Sequence, residues 1–110
     1  MNTIIDILGA EYTVQILKRD EDTKLSESDG YCDWSTHSIV VVDIEVEEYT
    51  VGNPNLYVAK VLRHEIIHAF MYESGLHEHA TFDDEHFEQM VDWIAFQYPK
   101  IKKVFDKLNI

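Results

Sequence analysis

The sequence predicts an α+β domain in which the strands come first and the helices second. Three observations carry that expectation. Two β-branched apolar segments at the N-terminus flank a glycine, a valine–isoleucine run occupies 38–46, and from Asn53 onward the pattern turns helical, with capping residues at its ends.

Thr3 to Leu8 and Tyr12 to Leu17 are separated by Gly9-Ala10 and read as a hairpin. Residues 19–29 (RDEDTKLSESD) are polar and acidic and are expected to form a surface loop. Gly30 to Trp34 reads as a short strand. Ser38 to Val46 (SIVVVDIEV) is the strongest strand candidate, an apolar run passing into alternation with Asp43 and Glu45. Asn53-Pro54 opens a helix, with Asn as N-cap and Pro in the first position. That helix is expected over 55–74, with Gly75 just past its C-cap. A second helix is expected from about Thr81, which can cap, with Asp83, Asp84 and Glu85 complementing the positive helix end. It should reach about Tyr98 and break at Pro99. Ile101, Val104, Phe105 and Leu108 are spaced for a short last helix. No repeat, linker or low-complexity tract divides the chain, so one domain is expected to span 1–110.

The 110 residues carry 21 acidic and 9 basic side chains, a formal charge of -12. A nucleic-acid footprint needs clustered Lys and Arg. Here Lys100, Lys102, Lys103 and Lys107 sit at the C-terminal end and the other basic residues are scattered, which argues against direct nucleic-acid binding. The acidity favours solubility and could attract a cation. Cys32 is the single cysteine, so no intrachain disulfide can form. The segment MNTIIDILGAEY lacks a signal peptide's basic n-region and apolar stretch, and no run approaches the ~18 apolar residues of a membrane span. A soluble cytoplasmic protein with no membrane association is therefore expected.

The chemistry is carried by His64-Glu65-Ile66-Ile67-His68. Four residues apart in a helix, His64 and His68 project from one face on successive turns and can bind one tetrahedral zinc ion. Glu65 is rotated by about 100° from His64. It flanks the open coordination position as a general base. A catalytic site needs a third protein ligand. The second helix offers Asp83, Asp84, Glu85, His86, Glu88 and Asp92. Glu88 and Asp92 lie one turn apart on one face, so Glu88 could close the triad while Asp92 accepts the free N–H of a ligating histidine. Glu85 shares roughly that face and is the main rival; its simpler role, with Asp83 and Asp84, is at the helix dipole. His86 points away from Glu88. His77 and His79, in the connecting loop, are read as solvated, although they could approach the metal. Tyr72, Tyr31, His37 or a loop histidine could stabilise an oxyanion, and nothing in the sequence selects among them. Cys32 reads as a small hydrophobe in a strand, with inhibitory zinc ligation as the minor alternative.

The arrangement HEIIHAF…ESGL, an acidic stretch and then E-x-x-V-D-W-I-A resembles the small HExxH metallopeptidases of phages and prophages. These are similar to ImmA/IrrE-type peptidases and, more distantly, to thermolysin-type zincins with a glutamate third ligand. ILGAEYTVQIL and DGYCDWSTHSIVVV resemble the strand region of the same small proteins, so the likeness spans nearly the whole chain. The resemblance implies zinc on His64, His68 and Glu88, with Glu65 as base. It also implies a minimal zincin-like fold, a short N-terminal twisted sheet packed on the active-site helix and C-terminal helices. An edge strand, Ser38 to Val46 or Gly30 to Trp34, would align an extended peptide by strand addition. The ImmA-type pattern usually has a small residue and an amide where Val91 and Asp92 stand, which leaves the role of Asp92 open. No DNA-binding domain is read in the chain, so any regulatory target is expected to be met by this domain alone or with a partner.

The expected function is zinc-dependent hydrolysis of a peptide or protein substrate, in the host cytoplasm if the chain is phage-encoded. Two other readings remain, a zincin-like metal-binding or protein-docking module without peptidase activity, and hydrolysis of a non-peptide amide. Substrate, oligomeric state and pathway are not legible.

Overall fold

The computed structural model describes residues 2–44, 52–79 and 83–110, with His79 described only in its backbone. Strands β1 (Asn2–Ile7), β2 (Ala10–Leu17), β3 (Gly30–Asp33) and β4 (Ser38–Val42) precede helices α1 (Pro54–Glu73), α2 (Leu76–His79) and α3 (Asp84–Leu108). The α+β class holds. The strands form one sheet in the order β1-β2-β4-β3, with β2 and β4 parallel and the outer pairs antiparallel.

The first hairpin turns one residue earlier than expected. Its corner is Leu8-Gly9, and Ala10 already pairs with Ile7. Both corner residues have positive φ, 51° and 92°, as a two-residue primed turn requires. The Asp6 carboxylate accepts the Gly9 N–H at 3.2 Å and holds the corner.

The stretch 19–29 is more than a surface loop. It forms two single-turn 3-10 helices, Arg19–Glu21 and Thr23–Ser26, and presses Leu25 into full burial against Val40 and Val42. Arg19 fastens it, donating to the Leu25 carbonyl at 2.6 Å and to Asp29 at 2.8 Å. In β4, Ile39 and Val41 face α1 while Val40 and Val42 face Leu25, so the period-two alternation buries both sides of the strand. The strand ends at Val42; residues 45 and 46 of the expected run lie outside the described residues.

Helix α1 begins where expected. The Asn53 side chain accepts the Leu56 N–H, Pro54 opens the helix, and Gly75 follows the Ser74 C-cap with φ 82°. It is buried on two sides. Val61, Ala69 and Ile66 pack on the sheet with Ile7, Tyr12 and Val14, while Ile67 and Met71 pack against Phe87 and Val91 of α3. The isoleucines inside the HExxH motif therefore serve opposite layers.

Two expectations about the second helix change. Asp83 is its N-cap, accepting the His86 N–H at 2.9 Å, and Thr81 lies outside the described residues. Pro99 does not break it: the short last helix is the continuation of α3 to Leu108. Proline cannot donate to the carbonyl four residues back, which is that of Ala95. Arg63 of α1 supplies the missing donor, with Nε 2.7 Å from the Ala95 oxygen.

Candidate metal centre

The antiparallel course of α1 and α3 brings the two helical carboxylates to the two histidines. His64 Nε2 and His68 Nε2 lie 3.2 Å apart. Glu88 spans them, with Oε2 at 3.0 Å from His64 Nε2 and Oε1 at 2.7 Å from His68 Nε2. Ligand atoms around a tetrahedral ion with bonds of about 2.0–2.1 Å stand roughly 3.3 Å apart. The first two separations approach that spacing, and the third is a hydrogen-bond length. His64, Glu65 and His68 each present a ligand atom within 4.8 Å of the others, a group that could hold a metal ion.

The surroundings orient the donors. Asp92 Oδ1 lies 3.2 Å from His64 Nδ1, a contact that favours the tautomer with the proton on Nδ1 and the Nε2 lone pair facing the cluster. Lys60, one turn before His64, ion-pairs with the same Asp92 oxygen. Burial alone would raise the Asp92 pKa, but Lys60 and His64 outweigh it and hold the carboxyl below its ordinary range. His68 Nδ1 is buried with no hydrogen-bond partner among the described residues. Burial lowers the His68 pKa, which favours the neutral, metal-binding imidazole.

Glu65 is almost fully buried. Desolvation, with the nearby Glu88 charge adding to it, pushes its pKa up to about 7. A cavity of about 240 Å³ opens in front of it, with Gly30 and Cys32 of β3 on one side and His68, Tyr72 and Glu88 on the other. Gly30 is required here. A Cβ at this position would stand 2.9 Å from Val61 Cγ1 and 3.2 Å from the Val40 carbonyl oxygen, so only glycine lets β3 approach α1 this closely. Burial pushes the Cys32 thiol up to about 12, in keeping with an inert small hydrophobe.

Other residues singled out by the sequence lie apart from the cluster. Glu85 is exposed in the first turn of α3, and His86 is exposed with Nδ1 2.7 Å from Asp83. His37 stacks on Tyr12 and lies 3.5 Å from Glu73. His77 lies in α2 rather than in a loop. Instead of being solvated it is half-buried with its ring on Tyr72 and Phe87, which border the cluster without His77 joining it. The side chain of His79 lies outside the described residues. Of the two tyrosines at the cavity, Tyr31 donates its hydroxyl to Asp22 at 2.6 Å, whereas no hydrogen bond of the Tyr72 hydroxyl is found among the described residues.

Lys60 is not singled out by the sequence; it stands four residues before His64, but its pairing with Asp92 is set by the packing of α3 on α1. Trp93 and Phe96, beside Asp92 on α3, were also missed; only the packing shows that they are left out of the core. Among the described residues no helix is long and apolar enough to cross a membrane. Comparisons with protein families, with curated proteins and with solved structures found no match for this chain.

Proposed function

We propose that the chain is a zinc-dependent metallopeptidase of HExxH type, similar to the ImmA/IrrE peptidases, that hydrolyses peptide or protein substrates. The observation that supports this reading best is the convergence of His64, His68 and Glu88 from two helices, with the buried Glu65 facing the same cavity. Two imidazoles and a carboxylate suit zinc, whereas calcium and magnesium prefer all-oxygen sites. His64, His68 and Glu88 would hold the ion, which when bound supplies Lewis acidity that polarises a carbonyl and acidifies water to near neutrality.

The protein's own groups divide the remaining work. Asp92, steadied by Lys60, fixes the ring of His64. Glu65, with a pKa near neutrality, can take a proton from an attacking water and return it to the leaving amine. The Tyr72 hydroxyl can donate to the substrate carbonyl as negative charge develops there. Strand β3 ends the sheet, and among the described residues no strand pairs with its outer edge. An extended peptide could align there by strand addition, in register with Gly30 to Asp33 and next to the cavity.

The test uses protein purified without chelator and loaded with zinc. Glu65→Gln should retain one zinc per chain by elemental analysis and lose at least about a hundredfold in peptide hydrolysis. Retained zinc with undiminished hydrolysis would reject the assigned base. Absence of stoichiometric zinc binding would reject the enzyme reading in favour of a docking module.

A further inference from the structure

A second concavity, of about 560 Å³, adjoins the cluster on the side away from β3 and shares His64 and Glu88 with it. Its floor is a stripe of α3 carrying Trp93 and Phe96. These rings are 59% and 54% exposed. The apolar side chains that fix α3 to the body, Phe87, Val91 and Ala95, are all buried, so packing does not account for the two aromatics. They stand three residues apart on one helix face, where neighbouring side chains meet. Gln89 and Gln97 border them without adding charge. Lys100 lies 4.8 Å from the Phe96 ring centroid.

Building on the peptidase reading, we propose that Trp93 and Phe96 form the subsite for a large apolar side chain, aromatic or long aliphatic, of the peptide occupying the cleft. Continuity with the cluster supplies the occupant, because His64 and Glu88 line both concavities, so a peptide held at the cluster borders these rings. Two flat aromatic surfaces gain most from an apolar partner of matching area. The carboxylates of Glu88 and Asp92 on the same wall disfavour a phosphate-bearing ligand such as a nucleotide.

The experiment uses the full chain with Glu65→Gln, zinc-loaded, so that peptides bind without turnover. The probes are blocked alanine hexapeptides carrying Gly, Leu or Phe at each position in turn. Binding is measured by calorimetry, and by Trp93 emission in a Trp34→Phe background. At one position Phe and Leu should bind at least about tenfold more tightly than Gly, with a blue shift of Trp93. The double substitution Trp93→Ala, Phe96→Ala should abolish that preference while zinc content stays unchanged. A preference that survives the double substitution, an emission indifferent to the peptides, or no binding by any of them would overturn the subsite. The emission readout needs neither alanine variant, so it decides the matter even if they fold poorly. Cleavage by the unsubstituted chain separates the two readings. Bound but uncleaved apolar peptides would reject the peptidase and keep the subsite, and cleavage without apolar preference would do the reverse.

Discussion

At the scale of single residues, the chemistry concentrates on Glu65. Its folded pKa of about 7 stands above the ordinary 4.5, so between those values the folded state binds more protons than the unfolded one. For a carboxyl raised in this way, stability is greatest below pH 4.5 and is lost as pH climbs through 7. The metal-free protein should therefore gain stability at pH 8 when Glu65 is replaced by the neutral Gln. The gain should be on the order of 3 kcal/mol at most, from a shift worth 1.36 kcal/mol per unit, and should vanish near pH 4. Thermal melts of the two metal-free proteins across pH would show it, and parallel curves would refute it. The pairs His64–His68 and Glu88–Asp92 were legible because helical spacing puts each pair on one face. Spacing alone leaves Glu85 beside Glu88, and only the packing of the two helices brings Glu88 to the histidines. Tyr72 was not separable from Tyr31 in the sequence. What distinguishes them is that Tyr31 is engaged by Asp22, on the distant segment 19–29.

At the scale of elements, the instructive case is the proline within α3. Locally, Pro99 is a stop signal. The helix continues because a side chain from α1 satisfies the carbonyl that Pro99 leaves without a donor. Arg63→Met should thus cost about 1–3 kcal/mol by leaving the buried Ala95 oxygen unpaired. In a Pro99→Ala background the helix regains its own donor, and the same change should cost less than half as much. A double-mutant cycle by urea denaturation measures this coupling; equal costs in both backgrounds would dismiss it. The glycine of β3 offers a similar case. Gly30→Ala should force β3 and α1 apart, lowering stability and disturbing the cavity together, because Val61 and the Val40 carbonyl leave no room for a methyl group. Hairpin, strands and first helix were readable because caps, turns and β-branched runs act locally. Helix continuity across a proline is decided by a residue 36 positions away.

At the scale of the whole molecule, α1 is a shared wall between sheet and α3, and the candidate site lies where α3 crosses its exposed edge. The α+β order was legible from the switch of periodicity. The strand order β1-β2-β4-β3, with its parallel β2–β4 pair, was not, since nothing local encodes which strand lies outermost. A metal held by His64, His68 and Glu88 would tie α1 to α3 across the 19 residues between His68 and Glu88. Free zinc at one hundred times its Kd should then stabilise the fold by about 2.7 kcal/mol, a rise of roughly 10 °C in Tm for a domain of this size. His68→Ala should abolish the rise, and scanning calorimetry with and without zinc would decide it.

The outer edge of β3, with which no strand pairs among the described residues, also bears on how the protein behaves in concentrated solution. A strand with unpaired backbone groups is a template for a neighbouring molecule's strand. A charge of -12 makes copies repel one another, which disfavours pairing on this template. That protection is lost near pH 4.7, where the net charge vanishes. Light scattering should detect association there first, with a gain of β signal by infrared spectroscopy, and a short extended peptide that occupies the edge should delay it.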